Sequence, residues 1–485
     1  MESGSAMRIK GLNEDENALV ERLLKRLEAK RARNMLRSAY MDGRHMLRRL
    51  PPTAPPYLSN LRAVLGWPAK AVELLARRIR LEGFALAEGS IDKYGFDEII
   101  EPNAYFAQVN QAQISSLVHA TVFQTVNTGG SGEPNVLINQ VSALNGTGEW
   151  NYRLRELANF LAISQWPQKP LVAPDFSLIE QSSFTLYHDW EIITVVKGAV
   201  VDRRPSLIRV PVVQMPYKPR LDRPFGASRI SRPVMSLTDS AVRTILRSEG
   251  TADFYGTPWF MIFGPSEDAF SKDSWQLIMD RVNAIPDNED AAHPRADVKQ
   301  FSQASQQPHV EQLQVLAGLF AGETSIPVSS LGIGLTQANP TSAESYLASR
   351  EDLIAEAEDA QTNWSPAHQK TMQWAWMIAN NEPVLPDELR RLMPVWRDTR
   401  FTSRAAAADA IVKLVTAFPW MGESDAIIET LGYDKQMTER LKADKRRASV
   451  SLAFMDIAKN LEGEAPGKTQ PEPTSAEVSA ASAES

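Results

Sequence analysis

The sequence predicts an α+β fold, mainly α, on three observations. Two one-sided helical stretches flank a short strand-rich insert within residues 224–323, a run of short β-branched segments lies between Phe184 and Val213, and an Ala/Glu-rich helical stretch follows residue 341. Helical and strand periodicities both recur, in separate blocks rather than in strict alternation, which argues for antiparallel sheets beside helices.

In chain order, Leu19, Val20, Leu23, Leu24 and Leu27 recur at helical spacing, so the first helix has one apolar face. Between Arg22 and Arg49 ten Lys/Arg residues oppose two acids. This reads either as a solvated face in a larger assembly or as a surface for nucleic acid or an acidic partner. Pro51-Pro52-Thr53-Ala54-Pro55-Pro56 is a stiff linker, after which Leu61, Val64, Leu65 and, past Pro68, Val72, Leu75 and Ile79 restart helical periodicity. A helix is expected over 103–126, carrying Phe106, Val109, Leu117 and Val118. Gly129-Gly130-Ser131-Gly132 marks a surface turn, Val136 to Val141 a strand, and Trp150 to Ser164 a further helix. From Phe184 to Val213 four strand-like segments are separated by turns such as Lys197-Gly198 and Arg203-Arg204-Pro205. Connections this short join antiparallel neighbours.

The hairpin begins at Ser231-Arg232-Pro233, where proline suits a first helical turn because its missing N–H would lack a partner there anyway. Val234, Leu237, Ala241, Ile245 and Leu246 draw one apolar stripe as far as about Ser248. Phe254 to Gly264 is aromatic and β-branched, the composition of a strand. A second helix follows Pro308 with Val310, Leu313, Leu316, Ala317 and Phe320 on one face, and ends near Gly322 ahead of Pro327 and Gly332-Ile333-Gly334. Thr341 and Glu344 have the spacing of a capping box, opening a helix to about Asp359. Ser365-Pro366 is expected to start a new helix with Met372, Trp376 and Ala379 buried and Trp374 in a core or subunit contact. Ser403 to Phe418 is an Ala-rich helix, Thr430 to Tyr433 caps a short one, and Lys435 to Leu461 is amphipathic; the Pro/Ser/Ala/Glu-rich tail after Gly463 has no apolar period and is expected to be disordered.

The chain of 485 residues holds no cysteine, which excludes disulfides, thiolate nucleophiles and Cys-ligated metals. No run of about 18 apolar residues is present and the N-terminus lacks a signal-peptide plan, so a cytoplasmic site of synthesis without membrane contact is expected. A net charge of -7 argues against a tight, extended grip on nucleic acid, which depends on neutralised phosphates. The histidines (His45, His119, His188, His293, His309 and His368) make no metal-ligand spacing. Gly463 to Thr469 is one residue short of a phosphate loop, contains proline and follows no strand; no Gly-x-Ser-x-Gly elbow occurs; and Asp287 with Asp290 lie in a polar loop better read as solvated. No catalytic residue, metal or cofactor is expected, and the chain reads as a structural, assembling protein rather than an enzyme.

Several motifs keep a fixed order: Pro224-Phe225-Gly226-x-Ser228-Arg229-Ile230, then Gln307-Pro308-His309-Val310-Glu311-Gln312-Leu313, then Phe320-Ala321-Gly322-Glu323-Thr324-x-Ile326-Pro327-x-Ser329-x-Leu331-Gly332. Asn339-Pro340-Thr341-Ser342-Ala343-Glu344, Trp396-Arg397-Asp398, Ala408-Asp409-Ala410-x-x-Lys413-Leu414 and Leu431-Gly432 follow. This order resembles the portal proteins of tailed bacteriophages, in particular those infecting actinobacteria, over roughly residues 205–460 and more weakly over 19–204.

The resemblance implies a portal-like subunit with wing, stem hairpin, small α/β clip, long wing helix and helical crown. Residues 1–223 would be an N-terminal wing, 224–250 the first stem helix, 251–305 the clip and 306–323 the second stem helix. Residues 324–340 would be the tunnel loop, 341–429 wing with the long helix, 430–461 the crown and 462–485 a disordered tail. It implies a homo-oligomeric ring, usually of twelve subunits, at one capsid vertex of the virion, assembled in the host cytoplasm. That ring would be the head–tail connector through which double-stranded DNA is packaged and ejected. Implied partners are the terminase large subunit, a head-completion adaptor and the major capsid protein. On this reading Leu237, Ala241, Ile245, Leu313, Leu316 and Phe320 pack the stem. Phe254, Tyr255, Trp259 and Phe260 serve the clip's adaptor or subunit interface, and Ser329, Ser330, Gln337 and Asn339 line the DNA channel. The alternative is a nucleic-acid-binding protein that uses the basic N-terminal helix.

Overall fold

The computed structural model describes residues 9–45, 63–87, 91–165, 183–255, 260–263, 297–300, 305–332, 350–400, 404–423, 427, 437, 440–448 and 450. Helix and sheet both contribute, in two units, residues 1–399 and residues 400–485.

In the first unit α1 (Glu14–Met41) opens with a capping box in which Asn13 and Glu16 satisfy each other's backbone N–H groups. The face Leu19, Val20, Leu23, Leu24 and Leu27 packs with Phe184, Leu186, Ile193 and Val195 of an antiparallel sheet. That sheet has the order β4 (Gly146–Asn151), β5 (Glu156–Gln165), β6 (Ser183–His188), β7 (Glu191–Val196), β8 (Ala199–Pro205). After α2 (Trp67–Ala76), β1 (Leu81–Ala85), a one-turn α3 (Asp97–Ile100) and α4 (Tyr105–His119), β2 (Thr121–Thr128) lies between β3 (Val136–Ser142) and β9 (Val212–Pro216). β1 pairs with β12 (Met393–Trp396).

Then come α5 (Arg232–Tyr255), the antiparallel pair β10 (Phe260–Phe263) and β11 (Asp297–Gln300), α6 (Gln307–Thr324) and α7 (Glu351–Asn380). The largest core cluster joins α2, β9, α5, α6 and α7 through Trp67, Val72, Met215, Ala241, Phe320, Leu353 and Trp364. In the second unit α8 (Arg404–Ala417) leads into a 3-10 turn at Pro419–Glu423, and residues 440–448 are helical.

Ala379, expected to be buried, is exposed, and four expectations about helix bounds need correction. The helix expected over 103–126 ends at His119, because Ala120 takes φ +81 and the β-branched Thr-Val-Phe-Gln-Thr-Val run becomes β2. The helix expected over Trp150–Ser164 is the β4–β5 hairpin. Asn151 Oδ1 accepts from Arg153 N at 3.0 Å and Leu154 N at 3.2 Å to shape its turn, and the buried face of β5 carries the polar Asn159 while the half-buried face carries Ala158, Phe160 and Ala162, which hides the period of two. α5 does not stop at Ser248 but runs through Phe254 and Tyr255. Its added turns are tied to α6 by hydrogen bonds between Ser248 and Gln306 (2.9 Å) and between Thr251 and His309 (3.0 Å). α7 does not restart at Ser365 but continues through Pro366; Ser365 Oγ donates to Gln361 O at 2.7 Å, and buried residues before and after the proline, among them Trp364 and Ala367, offset its cost to the helix. The proline linker, Trp259, Gln337, Asn339, the Thr341–Glu344 box, Asp287, Asp290, Thr430 to Tyr433 and the C-terminal tail lie outside the described residues.

Candidate functional surface: a helical hairpin and its clamped base

α5 and α6 pack against each other along the stripes that the sequence marks. Ala241 and Phe320 are fully buried, and Leu237, Ile245, Leu313 and Leu316 are half-buried against them. Val242, Leu246, Thr238 and Thr244 also turn inward. The threonines do so because Thr238 Oγ1 donates to Val234 O (2.8 Å) and Thr244 Oγ1 to Ser240 O (3.0 Å), which satisfies their hydroxyls within the helix. At the base Phe320 meets the Trp67 ring at 5.2 Å between centroids.

The base is held by Arg229, only 6% exposed. Its Nε donates to Ala71 O of α2 (2.6 Å), Nη1 to Tyr217 Oη (3.1 Å), and Nη2 to Thr324 O at the end of α6 (2.5 Å). The same guanidinium pairs with Glu356 of α7, which also accepts from Tyr217 Oη (2.5 Å) and from Lys218. One side chain thus joins α2, the entry to α5, the exit from α6 and α7. Burial pushes the Glu356 carboxyl upward, but the Arg229 charge and the bonds from Arg229, Lys218 and Tyr217 outweigh it, and its pKa lies below the usual carboxylate value. Burial raises the Tyr217 phenol, which stays protonated and donates.

Gly226 sets this geometry. Its φ is +72, and a Cβ there would come within 2.2 Å of Tyr217 O and 2.8 Å of Ala120 O, so only glycine fits the turn that brings Arg229 to the clamp. Ser231 Oγ accepts from Val234 N (3.3 Å) to cap α5 and donates to Glu323 Oε1 (3.1 Å), closing the hairpin's base.

The outer face of α6 is also apolar. Val315 is 63% and Leu319 56% exposed, and Gly318 and Gly322 between and beyond them have open space where a Cβ would stand. Spacings of three and four place these residues on one stripe, opposite Leu313 and Ala317.

Of the other marked residues, Ser329 is exposed and Ser330 half-buried in a 3-10 turn (Val328–Leu331), where Ser330 O accepts from Lys70 Nζ at 2.8 Å. Phe254 and Tyr255 close α5 and Phe260 opens β10, so they do not share one strand. Trp376 is buried, and Trp374 is partly buried with Lys370 Nζ 5.0 Å from its ring. His368 is fully buried, its Nδ1 2.9 Å from Tyr105 Oη, and burial lowers its pKa to about 3. His119, 2.9 Å from Ser38 Oγ, is lowered to about 4 by burial and then by Arg37. No group of three or more acid or histidine side chains among the described residues could hold a metal. Arg229 stands in one of the ordered sequence motifs, but nothing local marks its partners. Tyr217 lies 12 residues away, outside the motif, and Glu356 lies far along the chain, while nothing in the sequence marks a neighbour for the exposed second face of α6.

A family model described as phage portal protein, SPP1 Gp6-like, matches residues 20–449. The portal protein of Mycobacterium phage L5 is 27% identical over 459 residues, covering 90% of this chain and 89% of the relative. That of Mycobacterium phage D29 is 27% identical over 444 residues, 86% of each. Among solved structures, a chain in the neck of a native GTA particle computed with C12 symmetry has a TM-score of 0.41 at 14% identity, over 82% of this chain and 98% of that one. A chain of the native gene transfer agent virion has a TM-score of 0.39 at 15% identity, over 79% and 94%.

Proposed function

The chain belongs to the phage portal protein family of the SPP1 Gp6-like type, a structural family of the virion's head–tail connector, and from that membership we propose that it closes into a ring at one capsid vertex. The ring is the conduit for DNA packaging and ejection. It docks the terminase large subunit during packaging and a head-completion adaptor afterwards, and meets the major capsid protein outside. Residues 1–223 and 341–429 form the wing, 224–250 and 306–323 the stem, 251–305 the clip, 324–340 the tunnel loop and 430–461 the crown.

The observation that supports the ring best is α6, apolar on two opposite faces. One face is spent on α5, and Val315 and Leu319 on the other stand open in a single chain. A helix buried on both sides requires a neighbour, and a heterologous contact that closes by rotation supplies the same neighbour to every copy. Glycines at Gly318 and Gly322 let that neighbour approach closely.

Native mass measurement with negative-stain imaging tests the reading. A closed species near 650 kDa, about twelve times the 53.9 kDa subunit, with a central hole supports it. A monomer under all salt conditions overturns it.

A further inference from the structure

The basic helix singled out in the sequence has a partner row in the same polypeptide. Arg26, Lys30, Arg33 and Arg37 of α1 are spaced by four, three and four residues, so they share one face over about 16 Å. Among the described residues none of them meets a carboxylate. Arg26 and Lys30 lie over the Phe225 ring at 5.0 and 5.5 Å, Arg37 donates to Asn34 Oδ1 at 3.3 Å, and Arg33 is exposed. The acids near this helix are committed elsewhere or lie off the row: Glu21 holds Lys25, Glu149 meets Arg22, and Glu28 faces Arg31. Burial and then Arg26 and Arg33 depress Lys30 to about 8, so each cation makes the next more costly to hold. Beside the row runs an exposed small and apolar edge, Ala29, Ala32 and Leu36.

The first half of α7 shows the opposite. Glu351, Asp352, Glu358 and Asp359 are exposed over about 12 Å around the exposed Ala355. The Glu358 carboxylate accepts from Thr399 Oγ1 (3.1 Å), and no salt bridge from a cation among the described residues reaches any of the four. α1 packs on α4, β4, α2 and β5, whereas α7 packs on β9, β2, β12, β3 and α2, and no ion pair joins the two rows within the described residues of one chain.

We propose that the cation row of α1 docks on the acidic row of α7 in the neighbouring copy, with the Ala29–Leu36 edge against Ala355. This rests on the ring reading and names a wing contact within it. The apolar edge favours a protein occupant over a phosphate backbone, which offers nothing for Leu36 to bury. Exposed pairs contribute little each, so the contact sets register and salt sensitivity while apolar faces supply most of the holding.

The test uses three full-length variants: Lys30→Glu with Arg33→Glu, Glu351→Lys with Asp359→Lys, and all four together. Mass photometry over a dilution series reads the subunit concentration at which rings half-dissociate, with circular dichroism checking the fold. Each charge-reversed pair is expected to raise that concentration about tenfold at low salt, less at high salt, and the fourfold variant to return towards the parent. Parent rings with no shift in either pair, or a fourfold variant worse than both, overturn the contact and leave the ring standing. Loss of DNA retention from intact rings in the first pair alone assigns the row to nucleic acid instead. Absence of rings in the parent overturns both readings.

Discussion

At the scale of single residues, Arg229 and Glu356 carry the most consequence. Removing one partner leaves the other charged and buried, which costs about 3–5 kcal/mol, whereas replacing both with apolar groups of similar volume is far milder. Arg229→Met is therefore expected to lower the melting temperature markedly and Arg229→Met with Glu356→Met to recover much of it; equal losses in the two would mean that the pair is not the clamp. The buried histidines set an acid limit. His368 is held near 3 and His119 near 4 against an ordinary 6.5, so both are neutral in the fold while the unfolded chain takes up protons below 6.5. Stability is present above 6.5 and falls progressively as pH drops toward those values. Glu356, whose folded pKa lies below 4.5, adds to the loss only beneath that point. His119→Gln with His368→Gln should flatten a thermal-melt profile between pH 6.5 and 4, although it lowers the plateau; an unchanged slope would sink the assignment. None of these roles was legible from the sequence, because a buried arginine or histidine is defined by partners that only the tertiary fold brings near.

At the scale of elements, the apolar stripes of α1, α5 and α6 were legible because a period of 3.6 survives whenever one face is wet. What was not legible follows the same logic. β5 has Asn159 on its buried face and Phe160 on its half-buried one, so its alternation vanished, and Gly146 and Gly148 beneath the Phe160 ring, which a Cβ on either would crowd, gave no strand signal of their own. α5 outran its expected end because contacts with Gln306 and His309 outweigh the cost of Gly250, about 1 kcal/mol in a helix. The exposed face of α6 was visible only once its other face was seen to be occupied. Val315→Asp with Leu319→Asp should leave subunit melting nearly unchanged, since both side chains are exposed in the single chain, yet shift native mass from ring to monomer. Intact rings from this variant would place the stripe outside the subunit contact.

At the scale of the whole molecule, the ring reading gives the net charge of -7 a role. Each phosphate neutralised by a protein cation adds affinity, and a conduit that gripped phosphates would add friction to every step of translocation. The segment between α6 and α7, which on this reading faces the DNA, offers the neutral amides Gln337 and Asn339 and no Lys or Arg from Gly332 to Ser349. Amide NH2 groups can donate hydrogen bonds to the phosphate oxygens of a passing backbone without releasing its counterions, so they can check DNA at the end of packaging without holding it during motion. Gln337→Ala with Asn339→Ala is accordingly expected to keep the native mass of the ring while lowering the amount of DNA retained in filled particles, measured by nuclease protection. Rings that fall apart would make the segment an assembly element, and full retention from intact rings would remove these two amides from the DNA path.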